Sequence, residues 1–380
     1  MLYFFDPIDQ FFFRSAVPFE AGGESTTIAS RFPPLPTVYA GAMRPYVAPT
    51  ANKHALKIGF NGLWLDDGPY FPLPLDVHLT EQENGLTAKP LTLRKTPAAS
   101  FPLPYLPCFE TTADEPKSKK VHNAYLSQSQ LQSYLIHKDS CWPALDINEN
   151  YVYTEAKLGI AIDPQSGTAQ DERIYQINTV RPVNGLRLAA DITGITDAPS
   201  VVHLGGEGKL AAVGKAQDPP LSFQAAQAPT SDNRYFKLYF ATPAIFKNGW
   251  LPSWIDPDDF TGRFGYKKHT ISVKLLSACV GRKILCGGFG YDGTDGRHKP
   301  REMRYAVPAG SVYYFELTDK RDSFADAVRL FHQKCLSDYR EGLGFDYQVF
   351  DRSRYCDRGF GYALVGQLTK EQEDVLNESH

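Results

Sequence analysis

Prolines crowd this chain most densely in RFPPLPTVYAGAMR, residues 31–44. A proline has no backbone N–H and a fixed φ, so it is barred from a central strand. The segment reads as a stiff loop, and residues 37–46 behind its prolines can form a helix. Gly41 and Ala42 offer small side chains for close packing against a sheet, and Arg44 one cation. With 30 glycines and 28 prolines in 380 residues, many turns and long loops on a strand-rich scaffold are expected. Aromatics at 13% supply ample surface to bury, and the length allows two domains.

The net charge of −3 excludes a body that is basic throughout. Any polyanion must be held by local patches or shared with partners. Six cysteines are scattered without a CxxC pair, which reads as reduced thiols of a cytoplasmic protein, not a disulfide frame or zinc site. MLYFFDPIDQFFFR carries aspartates within its apolar run and no basic flank, so it is not a signal peptide. No stretch approaches the roughly 18 apolar residues of a membrane span. A soluble chain with no membrane contact, no metal and no cofactor is expected.

Along the chain, MLYFFDP reads as a first strand, and HALKIGFNGLWLDDGPYFP as a ribbon closing in a turn. Residues 80–120 carry few signals and read as a long loop or insertion with its lysines in solvent. NAYLSQSQLQSYLIH, 123–137, has helical spacing. Strands follow in YVYTEAKLGIAID, ERIYQINTVRPV, GLRLAADITG and SVVHLGGEGKLAAVGK. SFQAAQAPTSDN, near 222–233, is the best boundary, after which RYFKLYFATPAIFKNGW opens a second unit in the manner of the first. SFADAVRLFHQKCL is an amphipathic helix, DRGFGYALVGQL the last ordered element, and TKEQEDVLNESH a polar tail expected to fray. The expected fold class is α+β, with small antiparallel sheets and helices on one face, of the ferredoxin-like kind. The domains are then 1–225 and 226–368, with a tail at 369–380.

Four glycine loops stand out: GGEG (205–208), GGFG (287–290), PAG (308–310) and GFG (359–361). Successive amides in such turns can form an anion nest, and Lys209, Arg282 and Lys283 adjoin two of them. Ordinary tight turns are the alternative. Glu207 stands alone between glycines, so GGEG is not the paired-carboxylate metal loop of a nucleotide cyclase, and no GxxxxGK[ST] is present. RHKPREMR, 297–304, is the densest basic run, and RFGYKK, 263–268, interleaves cations with aromatics. That mixture suits single-stranded RNA, with cations on phosphates and rings on bases. The nine histidines are dispersed, without HxxxH, HxH or HExxH, and no GxSxG occurs. Only His203 and His298 lie near suggestive loops, and neither has a visible partner for acid–base work.

Taken in order, DPIDQFFFR, FPPLPTVYAGAMR, GPYFPLPLD, ERIYQI, LGGEGKL, ATPAIFKNGWLP, GRKILCGGF, AVPAGSVYYFEL and GFGYALVG span residues 1 to about 368. The set resembles the family of third subunits of the Cmr complex, the type III-B CRISPR effector, within the repeat-associated (RAMP) superfamily. The resemblance implies two ferredoxin-like (RRM-like) domains with long β-ribbon and loop insertions. It also implies a non-catalytic subunit for antiviral defence, which holds the 5′ tag of the CRISPR RNA and docks on the large polymerase/cyclase-like subunit. Backbone and small Cmr subunits are the further partners. On that reading the candidate RNA-binding residues are Arg14, Arg44, Gly205, Gly206, Gly208, Lys209, Arg282, Lys283, Gly287, Gly288, Arg297, Lys299 and Arg301. A RAMP endoribonuclease that processes CRISPR RNA, and a scaffold that binds only protein, are the alternatives.

Overall fold

The computed structural model describes residues 1–15, 27–51, 55–65, 68–82, 85–96, 101–109, 123–163, 165–216, 223, 233–266, 268–292, 297–300, 303–338 and 354–378. Among them the chain is a mixed α+β fold, rich in strand, with several sheets and short helices. No helix among the described residues is long and apolar enough to cross a membrane.

A ten-stranded sheet holds four strands at one end: β1 (Leu2–Pro7), β2 (Lys57–Leu65), β3 (Arg187–Thr193) and β4 (Leu210–Lys215). Their spatial order is β4-β1-β3-β2, every neighbour antiparallel. A six-stranded sheet contains β5 (Tyr235–Phe240), β6 (His269–Cys279), β7 (Val312–Leu317) and β8 (Tyr362–Gly366). These repeat the pattern as β8-β5-β7-β6, again antiparallel throughout. The long ribbon of Val152–Ile162 with Ala169–Pro182 pairs as its alternation predicts, with Thr27–Ala29 added in parallel.

Each half keeps one crossover helix. Helix α1 (Pro36–Met43) starts where the proline run ends, with Pro36 in the first turn, where its missing N–H costs nothing. It stops before the short 3₁₀ turn Arg44–Tyr46. It packs through Tyr39, Ala40 and Met43, and a buried methionine contributes about 1.5–3 kcal/mol. Gly41 is not the packing residue expected: it is exposed, and a Cβ there would meet nothing within 4 Å. Helix α2 (Gln128–Ile136) begins later than its spacing suggests, because Ser127 and Gln130 form a capping box behind the strand Ala124–Ser127. Helix α3 (Phe324–Phe331) has the amphipathic pattern read from its sequence and buries Phe324, Ala327, Leu330 and Phe331.

Two expectations fail. Residues 80–120 are not a plain loop: Val77–Gln82 pairs with Gly85–Pro90, and Thr92–Lys95 with Tyr105–Cys108. Leu103 and Tyr105 are buried, and Ser277 Oγ of β6 donates to the Tyr105 carbonyl at 2.9 Å. The apolar residues are too sparse to announce strands, and their partners lie far along the chain: Leu79 and Ala88 cluster with Ala124 of the first sheet, and Leu103 with the core of the second. Lys117, Lys119 and Lys120, placed in solvent by the sequence, lie outside the described residues, as does most of the boundary at 222–233. The tail is not frayed. Thr369 and Gln372 cap helix α4 (Lys370–Asn377), which buries Leu376 and Gln372.

The two sheets share a core. Strand β5 is buried on both faces. Phe236, Leu238 and Phe240 face α3, while Tyr235 and Tyr239 face Phe71, Leu131 and Tyr134 of the first half. Lys237 falls on that second face by the period of two, wholly enclosed. Its Nζ lies 3.7 Å from Oδ2 of the equally buried Asp76 and 3.5 Å from the Tyr134 ring centroid. Asp76 also accepts from the hydroxyls of Tyr134, at 2.7 and 2.8 Å, and Tyr314, at 2.6 Å. Gln372 of α4 donates to the Leu91 carbonyl at 2.7 Å and reaches the Tyr314 hydroxyl at 3.4 Å. Burial pulls the Lys237 ammonium down to about 8, against the opposing pull of Asp76.

A buried ion pair is strongly destabilised by loss of one member, because the other stays desolvated. Lys237→Ala is expected to cost about 3–5 kcal/mol in denaturant unfolding, and Lys237→Met with Asp76→Asn to recover part of that. His137 Nε2 sits 3.1 Å from Lys237 Nζ. Burial first, then that ammonium, lower His137 from 6.5 to about 2. The unfolded chain therefore takes up a proton near pH 6.5 that the native state refuses, so stability falls as pH drops below that value. His137→Gln should flatten the slope of stability against pH between 4 and 6 by up to about 1.4 kcal/mol per unit.

Candidate nucleic-acid interface

The motifs that look unrelated along the chain meet at the seam between the two sheets. Leu75 donates its N–H to the Gly310 carbonyl at 2.8 Å. The Gly359 carbonyl accepts from Asn61 Nδ2 at 3.2 Å and from Thr242 Oγ1 at 2.7 Å, and that hydroxyl accepts from the Tyr362 N–H at 2.8 Å. Ala244 and Val307 exchange N–H···O bonds at 2.9 and 2.7 Å. Thus ATPAIF is knitted to AVPAG on one side and GFGY on the other.

Two glycine loops are explained by this closure. Gly310 and Gly359 both take φ +88°. A Cβ on Gly310 would stand 2.5 Å from the Leu73 carbonyl oxygen, and one on Gly359 2.5 Å from Asn61 Nδ2. These are points where backbones of the two halves come close, and neither is an open nest. GGEG is likewise engaged. Gly205, at φ +98°, would place a Cβ 2.4 Å from the Phe12 carbonyl oxygen. The Gly206 N–H donates to that same oxygen at 2.8 Å. Gly208, at φ +63°, faces open space. Lys209 pairs with Asp9 at 2.9 Å, and the hydrogen bond from Lys209 holds the Asp9 carboxyl below its usual range. The loop braces DPIDQFFFR against the sheet. Arg14, bridged to Ser30 by its backbone, directly follows the Phe12–Phe13 segment that the loop abuts, while Arg44 opens its 3₁₀ turn; both are exposed.

The remaining candidates share one β-ribbon. Ile284–Cys286 pairs with Arg304–Ala306, and Phe289–Asp292 with Arg297–Pro300. Arg282 and Lys283 are exposed at its base, and Lys283 Nζ lies 3.9 Å from the ring centroid of Tyr305, itself half exposed. Arg297 pairs in register with Asp292, and Lys299 with Gly290. Gly287 packs at Met303, where a Cβ would meet the sulfur at 2.4 Å, and Gly288, at φ +144°, faces open space. Arg301 lies outside the described residues. In RFGYKK, Phe264 is core while Arg263 is exposed.

Between ribbon and seam lies a cleft of about 310 Å³, walled by FPPLP, β2, Tyr70, Tyr125, Pro243 and Pro308, with Ile284 of the ribbon at its edge. Sequence reasoning passed over Arg31 in its wall, because one arginine before three prolines carries no pattern. It also passed over the Asp76–Lys237 pair, whose members are 161 positions apart and become neighbours only when the sheets pack. His203 is exposed on its short strand.

The family model for CRISPR-associated protein (Cas_Cmr3) matches residues 3–368. The chain belongs to that family. The kinship expected from the ordered motifs is thereby borne out. No curated protein matches the chain. Solved chains similar to it include two from type III-B Cmr-beta structures. One, from a cryo-EM structure of the type III-B Cmr-beta bound to cognate target RNA, has 14% identity and a TM-score of 0.47, covering 96% of each chain. The other, from the same assembly with cognate target RNA and AMPPnP, has 15% identity and a TM-score of 0.45, covering 83% of this chain and 86% of that one.

If the seam glycines serve close approach, substitution must strain them while a superficially similar glycine tolerates it. Gly359→Ala is expected to lose about 2–4 kcal/mol in chemical denaturation, from the left-handed backbone and the Asn61 clash. Gly41→Ala, in an open helical position, should gain about 0.5–1 kcal/mol.

Proposed function

We propose that the chain is a non-catalytic, cytoplasmic subunit of a type III-B CRISPR effector, which holds the 5′ tag of the CRISPR RNA and docks on the large polymerase/cyclase-like subunit. The observation that carries the RNA contact is the basic ribbon. Arg282 and Lys283 are exposed at its base, Lys283 Nζ lies over the half-exposed Tyr305 ring, and Arg297 and Lys299 occupy register positions on its strand. Such a surface positions a single strand through its phosphates and leaves bases free to splay. Family membership supplies the CRISPR context.

The strand orders β4-β1-β3-β2 and β8-β5-β7-β6 support two ferredoxin-like units, each retaining one of the two crossover helices that such a unit has. They also support division near residue 225. Docking is supported by the ribbon 152–182. Leu158 and Ile160 alternate onto one face, Ile174 pairs opposite Ile160, and these three and Ile162, past a register shift, are each more than half exposed. Aliphatic side chains suit a protein partner, including the backbone and small subunits of the complex. The non-catalytic reading rests on the seclusion of the Lys237, Tyr134 and Tyr314 cluster: these groups are fully enclosed and cannot meet a scissile 2′-OH.

Guide RNA with a photoreactive base in its 5′ tag, assembled into the complex, should crosslink to peptides within 282–304. Arg282→Glu with Lys283→Glu should weaken RNA binding about tenfold near 100 mM salt and lower the salt slope by about 2. A chain free of crosslinks, with unchanged RNA affinity in the double variant, would leave only the protein-binding scaffold.

A further inference from the structure

The long ribbon 152–182 has one closed edge and one open edge. Its inner strand, Ala169–Pro182, is flanked by Thr27–Ala29 in parallel. Further along the same edge, Phe11 and Val180 exchange N–H···O bonds at 2.7 and 2.8 Å. The outer strand, Val152–Ile162, pairs only with the inner one among the described residues. Its far edge presents a row of main-chain donors and acceptors, which is a template for another strand. The end strands of the two large sheets are shorter or covered. Val201–His203 has three residues, Lys334–Cys335 two and Val77–Gln82 six. Thr261–Tyr266 is bridged at Gly262 by Ile255.

The open edge is held firmly. Arg181 Nε donates to Glu155 Oε1 at 2.6 Å across the ribbon, and Thr179 Oγ1 donates to Gln10 Oε1 at 2.7 Å, which ties the ribbon to the segment after β1. At Gly159 the Tyr175 ring takes the place of a side chain: a Cβ there would stand 2.3 Å from its Cζ. That ring packs in turn against the Phe12, Ile28 and Ile177 cluster. A preformed edge has little ordering left to lose when a partner binds.

Side chains along the edge select the occupant. By the period of two, Thr154, Ala156, Leu158 and Ile160 share one face of the outer strand, all exposed, with Ile174 opposite Ile160. A register shift beyond Ile160 ends the regular edge. On the other face Lys157 is exposed, while Arg181 is held by Glu155. One lysine on the outer strand is too few for a phosphate backbone. Antiparallel pairing of two copies centred on Leu158 would set their Lys157 side chains on adjacent diagonal positions of one face, a like-charge contact.

We infer that the outer strand takes up, by main-chain pairing along residues 152–160, an extended segment of another protein subunit, with aliphatic residues beside Leu158 and Ile160 and a carboxylate opposite Lys157. The inference rests on the protein-docking reading of the ribbon and adds to it the mode of contact and the chemistry of the segment. Main-chain bonds supply affinity in such an addition, and alternate side chains supply choice.

The test compares the full chain alone with the effector complex assembled on guide RNA, by hydrogen–deuterium exchange resolved to single amides. Alternate amides between Val152 and Ile160, those on the open edge, should exchange rapidly in the free chain and at least about tenfold more slowly in the complex. Leu158→Lys with Ile160→Lys should weaken incorporation into the complex about a hundredfold, and Lys157→Glu about fivefold. All three positions are exposed, and thermal melts establish that the variants fold. Incorporation lost in the double variant without alternating protection in the wild type overturns strand addition and leaves docking through side chains. Undiminished incorporation of the double variant overturns the docking reading and strand addition with it. Protection brought about by guide RNA alone, or by raising the concentration of the free chain, gives the edge to RNA or to a second copy and overturns the protein segment. Unchanged incorporation of Lys157→Glu overturns the carboxylate.

Discussion

Everything between the two sheets is organised around one enclosed ion pair. Asp76 belongs to the first half and Lys237 to the central strand of the second, and both are removed from water. Neither charge is tolerable alone, so packing that separates them is heavily penalised. The hydroxyls of Tyr134 and Tyr314 add donors to Asp76 from opposite sides of the seam. Such a site selects one docking geometry among the many that hydrophobic faces would permit. The glycines at 310 and 359 then allow the backbones to close to the distance that this pair requires.

Four glycine loops that look alike in the sequence thus do different work. Two mark close approach between halves, one braces the segment after the first strand, and one lies in a basic ribbon. A glycine advertises conformational permission, and only its neighbours say what the permission is for. Lys209 illustrates this: adjacent to GGEG it resembles an anion ligand, yet it is paired with Asp9.

Much of the fold was legible where a residue's partner lies nearby in the chain. Alternation in YVYTEAKLGIAID and ERIYQINTVRPV marks a hairpin, and the 3.6-residue spacing in FADAVRLF marks a helix, because each pattern reflects local geometry. The insertion and the tail were illegible for the opposite reason. Leu103 and Tyr105 are buried against a strand some 170 positions later, and Gln372 is buried against Leu91 and Tyr314. The capping pair Thr369 and Gln372 was a readable signal for the last helix, outweighed by its acidic composition. At the interface, the basic run 297–304 and the pair Arg282–Lys283 were visible as charge, whereas Arg31 acquires meaning only from the cleft that forms around it.

The capping helix at 370–377 carries a consequence for biosynthesis. Gln372 completes the hydrogen bonding around Tyr314, whose hydroxyl in turn holds Asp76. Residues made very early and very late must therefore coexist before the interior is satisfied. While the ribosome is still adding β7 and β8, the Phe60 and Phe71 side of the core awaits its cover. A chain with such distant pairings closes slowly and exposes apolar surface in the meantime. Closure of this core thus waits on pairings across most of the chain, and until they form the Phe60 and Phe71 face stays open to water.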